Sequence, residues 1–282
     1  MKYLKTYEDM ELIMKRNKMI TNRFKKSAVE MNFDQCVEYI ENNCTEWLEN
    51  PIKIKRGIDY NYDYFYSKPV ARLSKDNLNY YTLIMDNSPE WKNFPKRRKS
   101  FICKFNSSTY GNYEYYVIPE DGSNWGIVNN QDIWNGFDTS LEEIDLNYSC
   151  NRFVRNFNDV AKLYGIEVND TNWTQFKKDI KELEIAAQYK DIIFLFDEKK
   201  IINDYIIRKG NILQNLRNIF NPVKNKFVNI HYSDIQKYPE YVDSWSECWT
   251  DSPCIFVNRY LMKKILRTIK DKKFKQKTKN WE

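Results

Sequence analysis

Glu247 stands between two tryptophans in the segment Trp245-Ser246-Glu247-Cys248-Trp249-Thr250. The alternation predicts a β-strand carrying Trp245, Glu247 and Trp249 on one face. A carboxylate in that position is costly to bury without a partner. It is either an edge residue that reaches water and guards against sheet-to-sheet aggregation, or an acid that stabilises a developing cation or acts as a base. Two other residues invite a chemical reading. Arg56 ends the alternating run Ile52-Lys53-Ile54-Lys55-Arg56-Gly57. An arginine fork suits a phosphate, and Gly57 lets a ligand come close to the backbone. A surface arginine before a turn gives the same pattern. Ser100 opens the run Ser100-Phe101-Ile102-Cys103-Lys104-Phe105, directly after Lys96-Arg97-Arg98-Lys99. A hydroxyl there can orient a carboxylate or a ribose, or it can be a plain turn serine. The four cations are either a solvated turn or a contact for the phosphates of a cofactor or nucleic acid.

The elements that must position these residues alternate in character. Residues 1–50 read as helical, with Phe33, Val37, Ile40, Trp47 and Leu48 at helical spacing, and Pro51 marks a change. Residues 51–137 hold strand-like runs. Asn79–Met85 suits either strand or helix. Ser100–Phe105 and Tyr113–Pro119 read as strands, and Asp121-Gly122 is a hairpin signal. Residues 138–225 return to helical periods: a stripe from Phe153 to Tyr164 stopped by Gly165, a second from Trp173 to Ala187 capped by Asp170 or Thr171, and a third from Ile212 to Phe220. Strand character resumes in 226–269, at Lys226–Ile230, at the Glu247 segment and at Cys254-Ile255-Phe256-Val257. Tyr260–Ile269 reads as a helix, and 270–282 as a basic, frayed tail. This order predicts an α+β fold in which 138–225 is a helical insertion between two halves of one sheet system.

Composition removes several function classes. His231 is the single histidine, so neither a His-x-His nor an HExxH metal site exists, and no metal is expected. A Ser-His-Asp triad would have to use His231, and no Gly-x-Ser-x-Gly elbow is present. The 7 glycines form neither common phosphate loop. The six cysteines include no Cys-x-x-Cys pair, which removes zinc-ribbon and thioredoxin readings and suggests small apolar residues in a reducing compartment. No stretch approaches the roughly 20 apolar residues of a membrane helix, and acidic residues interrupt the N-terminus before any signal-like run forms. A cytoplasmic protein with no membrane partner is the expectation. The net charge of +6 permits an acidic partner without requiring one.

The order Arg56-Gly57, then Ser100, then Glu247 resembles the arginine–serine–glutamate class of mono-ADP-ribosyltransferases. Three segments are similar to phage-borne members of that family: Asn79–Pro89, Phe94–Ser100 and Glu247–Cys254. The resemblance covers about residues 50–135 and 226–258. It implies a split β-sandwich core and NAD as substrate, cleaved at the nicotinamide–ribose bond, with ADP-ribose passed to a host macromolecule, protein or nucleic acid. Arg56, Gly57, Ser100 and Phe101 would then hold NAD. Ser100 would position Glu247, and Glu247 would favour the cationic ribose as nicotinamide leaves. Two departures matter. Trp245 occupies the place where arginine-modifying members carry Glu or Gln, and no Ser-Thr-Ser text follows Ser100, since Ser107, Ser108 and Thr109 come later. Water as acceptor, making the protein an NAD glycohydrolase, is one alternative. A nucleic-acid-binding protein without catalysis, using the basic run, the basic tail and the tyrosines, is another.

Overall fold

The computed structural model describes residues 27–59, 61–71, 78–107, 109, 111–139, 150–194, 198–242 and 244–279, of which 272–279 by backbone alone. Helices and an antiparallel sheet make an α+β protein. The described residues fall into two units. Residues 78–93 and 132–227 form one, and 27–71, 94–131 and 228–279 form the other.

The first unit is helical. Cys150–Leu163 buries Phe153, Val154, Phe157, Val160 and Ala161, and Gly165 follows it with φ +85°, a conformation that favours glycine. Trp173–Tyr189 buries Phe176, Ile180 and Leu183. Its cap is Asn172, whose side chain accepts from the Thr174 and Gln175 amides, rather than Asp170 or Thr171. The ambiguous run at Asn79–Met85 is a helix, Tyr80–Asn87, and belongs to this unit. Six of its eight residues are buried, so no alternating solvent face remains to support a strand.

The second unit carries the nine strands of the described residues: β1 (Ala28–Met31), β2 (Ile54–Ile58), β3 (Tyr64–Ser67), β4 (Phe101–Phe105), β5 (Tyr113–Pro119), β6 (Asn124–Ile127), β7 (Val228–His231), β8 (Glu247–Thr250) and β9 (Cys254–Asn258). Every pairing is antiparallel, in the order β1-β3-β9-β5-β2-β4-β8-β6-β7. One join in this series is weak. β2 and β4 pair only at Ile54 with Phe105 and Lys55 with Lys104, whereas β2 follows β5 from Lys55 to Ile58 and β4 follows β8 from Phe101 to Lys104. Past Lys55 the strands part, leaving β1-β3-β9-β5-β2 on one side and β4-β8-β6-β7 on the other.

The expected hairpin is absent for the same reason. The Asp121-Gly122 turn is present, but β5 and β6 lie on opposite sides of the join and do not pair. The turn after Thr250 likewise carries the chain from β8 across to β9. The reading of residues 1–50 as helical also needs correction. Residues 1–26 lie outside the described residues, Ala28–Met31 is a strand paired to β3, and helices follow at Phe33–Asn43 and Thr45–Glu49. Asn32 and Gln35 form a capping box at the first of these. The last helix runs from Met262 to Lys279, so the backbone stays helical where fraying was expected.

Burial of aromatic and aliphatic side chains holds the sheet in place. Phe65 stacks on Phe256 at 4.6 Å, and Phe101 meets Phe256 edge-on at 5.0 Å. Helix Phe33–Asn43 adds Cys36, Val37 and Ile40 to this core, and the last helix adds Met262, Ile265 and Ile269. All six cysteines are buried and outside any disulfide. Burial pushes the Cys36 thiol up to about 12 and raises Cys150, Cys248 and Cys254 as well. At neutral pH these sulfurs are thiols rather than thiolates, and the thiolate is the reactive species. A thiol-reactive dye at pH 8 should therefore label less than one cysteine per native chain and all six after denaturation. Rapid labelling of several native thiols would contradict this packing.

β6 and β8 are in close contact at Gly126. A β-carbon there would lie 2.2 Å from the fully buried Trp249 ring. Gly126→Ala should cost about 1–3 kcal/mol through overpacking, read from the urea midpoint at unchanged slope. A wild-type midpoint would mean that the indole moves freely.

Candidate active site

Glu247 begins β8, an interior strand flanked by β4 and β6. The edge-residue reading therefore fails. Its backbone is tied on one side, where its amide donates to Asn130 O at 2.8 Å and its carbonyl accepts from the Val128 amide at 3.1 Å. Residue exposure is 5%, and the charge is met by Arg97, whose Nη2 donates to Glu247 Oε1 at 2.5 Å. Arg97 is itself buried. Oε2 accepts no hydrogen bond from the described residues.

Arg97 is held by its surroundings. It lies in a 3-10 turn, Arg97–Lys99, that leads into β4. The Ser100 hydroxyl donates to the Arg97 carbonyl at 2.9 Å, and the Lys96 amide donates to Asp251 Oδ2 at 3.0 Å. The guanidinium sits over the Trp249 ring, 5.0 Å from its centroid, a favourable cation–π position. Trp249 is fixed in turn. Its Nε1 donates to Pro95 O at 3.1 Å, Phe94 stacks against it at 6.2 Å, and Gly126 leaves room beneath it.

Arg56 sits where β2 and β4 part. Its Nη1 donates to the Ile102 carbonyl of β4 at 2.8 Å, and its guanidinium lies 5.9 Å from the Phe101 ring centroid. Burial pulls its pKa below the usual arginine value, and the positive charge of Arg97 pulls the same way. Arginine nevertheless stays protonated in proteins. An incoming anion would offset both effects.

The sequence-selected residues therefore gather in one unit but do not all touch. By pleat alternation Arg56 shares a face with Ile54 and Phe105, whereas Glu247 shares the other with Lys104. Glu247 pairs with Arg97 and not with Arg56. Ser100 reaches Glu247 only through Arg97. Phe101 is core, packed on Phe256. Gly57 is approached closely, but by the chain itself: its amide donates to Thr109 Oγ1 at 3.0 Å, and a side chain on Gly111 would lie 2.3 Å from its carbonyl carbon. Trp245 precedes the strand and is 58% exposed, unlike Trp249.

Arg97 was not separable in the sequence. Four successive cations conceal the one that turns inward, and a three-residue turn has no periodicity to single it out. The usable signal was Glu247 itself, whose buried charge requires a cation. Among the described residues no group of His, Cys, Asp and Glu is arranged to hold a metal, and no helix is long and apolar enough to cross a membrane. No family model, curated protein or solved structure matches the chain.

The pair makes a stability prediction. Arg97→Met would strand a buried carboxylate and should cost about 3–5 kcal/mol, whereas Arg97→Met combined with Glu247→Leu should recover most of the loss. Urea unfolding of the two variants checks this. Equal destabilisation in both would mean that the charges are not coupled.

Proposed function

We propose that this protein is an NAD-dependent mono-ADP-ribosyltransferase with Glu247 as its catalytic carboxylate. NAD is the donor substrate: the bond from ribose C1′ to the nicotinamide nitrogen breaks, the acceptor's nucleophilic atom bonds to C1′, nicotinamide leaves and the acceptor loses a proton. Positive charge develops on the ribose as the bond breaks, and a preorganised carboxylate is the group that stabilises it.

One observation carries the reading. Glu247 is a buried carboxylate on an interior strand, with Oε1 held by Arg97 and no hydrogen bond from the described residues to Oε2. Two features support it. The sheet nearly divides between β2 and β4, as the split β-sandwich of the resembling family would require, and the division stands at Arg56. Arg56 offers an arginine fork whose charge is disfavoured by burial, which suits a pyrophosphate. Within this proposal Arg56 meets the phosphates, and the hydroxyl of Ser100 secures the turn that bears Arg97. Gly57 and Phe101 contribute shape to the opening rather than direct contacts. The run Lys96–Lys99 is a weaker candidate for a nucleic-acid surface, because Arg97 is spent internally. The acceptor is a macromolecule, protein or nucleic acid. Cytoplasmic placement in a phage-infected host belongs to the same proposal.

Nicotinamide release from NAD, measured with the purified chain and cell lysate, tests the reading. Glu247→Gln should lower the rate about 100- to 1,000-fold, the scale of losing one main electrostatic stabiliser. Arg56→Lys should weaken NAD binding about tenfold by losing the fork. Label that follows a macromolecule marks transfer, and free ADP-ribose alone marks hydrolysis. Equal release by wild type and Glu247→Gln would overturn the assignment.

A further inference from the structure

We infer that Arg97 is the positioning residue of this site: it holds Glu247 Oε1 so that only Oε2 is presented to the substrate. The inference rests on the transferase reading and assigns to it a residue that lies outside the arginine, serine and glutamate positions.

The geometry separates positioning from substrate contact. Arg97 is buried like the acid, and its Nη2 is engaged by Glu247 Oε1. Its contact with the acid is short, at 2.5 Å, and charge-assisted. A glutamate side chain has three rotatable bonds, and without a fixed partner its carboxylate would sample several orientations. Fixing one oxygen limits the direction in which the other points. For that purpose the fixing group must itself be rigid. Arg97 is: its carbonyl is bound by Ser100, its guanidinium sits over the Trp249 ring, and Trp249 is anchored to Pro95 and backed by Phe94. A lysine could keep the charge but not the planar, delocalised group over the indole.

This chain of contacts also gives Ser100 an indirect role. Its hydroxyl acts on the backbone of Arg97, three residues earlier, and not on the carboxylate. Catalytic geometry thus passes from Ser100 and Trp249 to Arg97, and from Arg97 to Glu247.

A double-mutant cycle in nicotinamide release tests the inference. The variants are Arg97→Gln, Arg97→Lys, Glu247→Gln and the double variant Arg97→Gln/Glu247→Gln, each checked for native circular dichroism. Arg97→Gln should lower kcat about 10- to 100-fold, as loss of a supporting contact does at other sites, with KM for NAD within about threefold of wild type. Arg97→Lys should recover part of kcat, and it serves as the informative variant if the glutamine form does not fold. In the Glu247→Gln background, replacing Arg97 should change the residual rate less than threefold, because a residue that acts through the acid has nothing left to orient. A full additional loss in that background would overturn the inference, as would a rise in KM at constant kcat or a wild-type kcat in Arg97→Gln. Each of those results leaves the transferase reading standing. Absence of release from wild type is the separate result that removes both.

Discussion

A carboxylate on an interior strand must find a cation, and much of the local architecture around β8 follows from that need. Glu247 is excluded from water on a strand hydrogen-bonded on both sides, so an unpartnered charge would be untenable. Arg97 answers it from the turn before β4. The cation in turn rests on Trp249, and Trp249 demands a glycine on β6 because any β-carbon would strike the ring. One ionic contact thereby links the turn before β4 with β8 and β6. Such a pair contributes less to net stability than its Coulomb energy suggests, since both ions were stripped of water. Its gain is directional: a carboxylate held at one oxygen is a defined object for a ligand to meet.

A second constraint is the parting of β2 and β4. An antiparallel sheet gains from continuing its ladder, yet these strands pair at only two positions. Arg56 stands at the parting and donates to a carbonyl of the strand it no longer pairs with. Crossings of the chain from β5 to β6 and from β8 to β9 give each side of the join members drawn from distant sequence. Arg56 and Glu247 thus lie on different faces of the sheet, and the proposed transferase requires one ligand to reach both at this interruption.

Much of the fold was legible in the sequence, and the limits have physical causes. Strands β5 and β7 and the helices at Cys150, Trp173 and Ile212 follow from side-chain period, whereas β4 and β9, buried at nearly every residue, show as short apolar runs. Helix Tyr80–Asn87 was ambiguous because it is buried nearly all round, which erases the period. The hairpin implied by Asp121-Gly122 does not form, because turn chemistry reports a reversal of the chain and not which strand it pairs with next. In the site, the anomaly at Glu247 was visible, since alternation exposes a charge among indoles. Its partner was not, because pairing across 150 residues leaves no trace in local spacing. The indirect role of Ser100 was hidden for the same reason, and the closeness predicted at Gly57 is real but is filled by the chain at Thr109 and Gly111.

The central claim is that NAD is bound beside the Glu247, Arg97 and Trp249 cluster, and indole resonances report on it directly. The chain has 8 tryptophans, and an amide-correlation spectrum with nitrogen-15 in the indoles resolves them, with Trp249 assigned by Trp249→Phe. Titration with NAD at millimolar concentration should shift the Trp249 indole signal and leave those of the helical unit unmoved. If that resonance stays in place while NAD is shown by other means to be bound or cleaved, the site lies elsewhere and the account built on Glu247 is wrong.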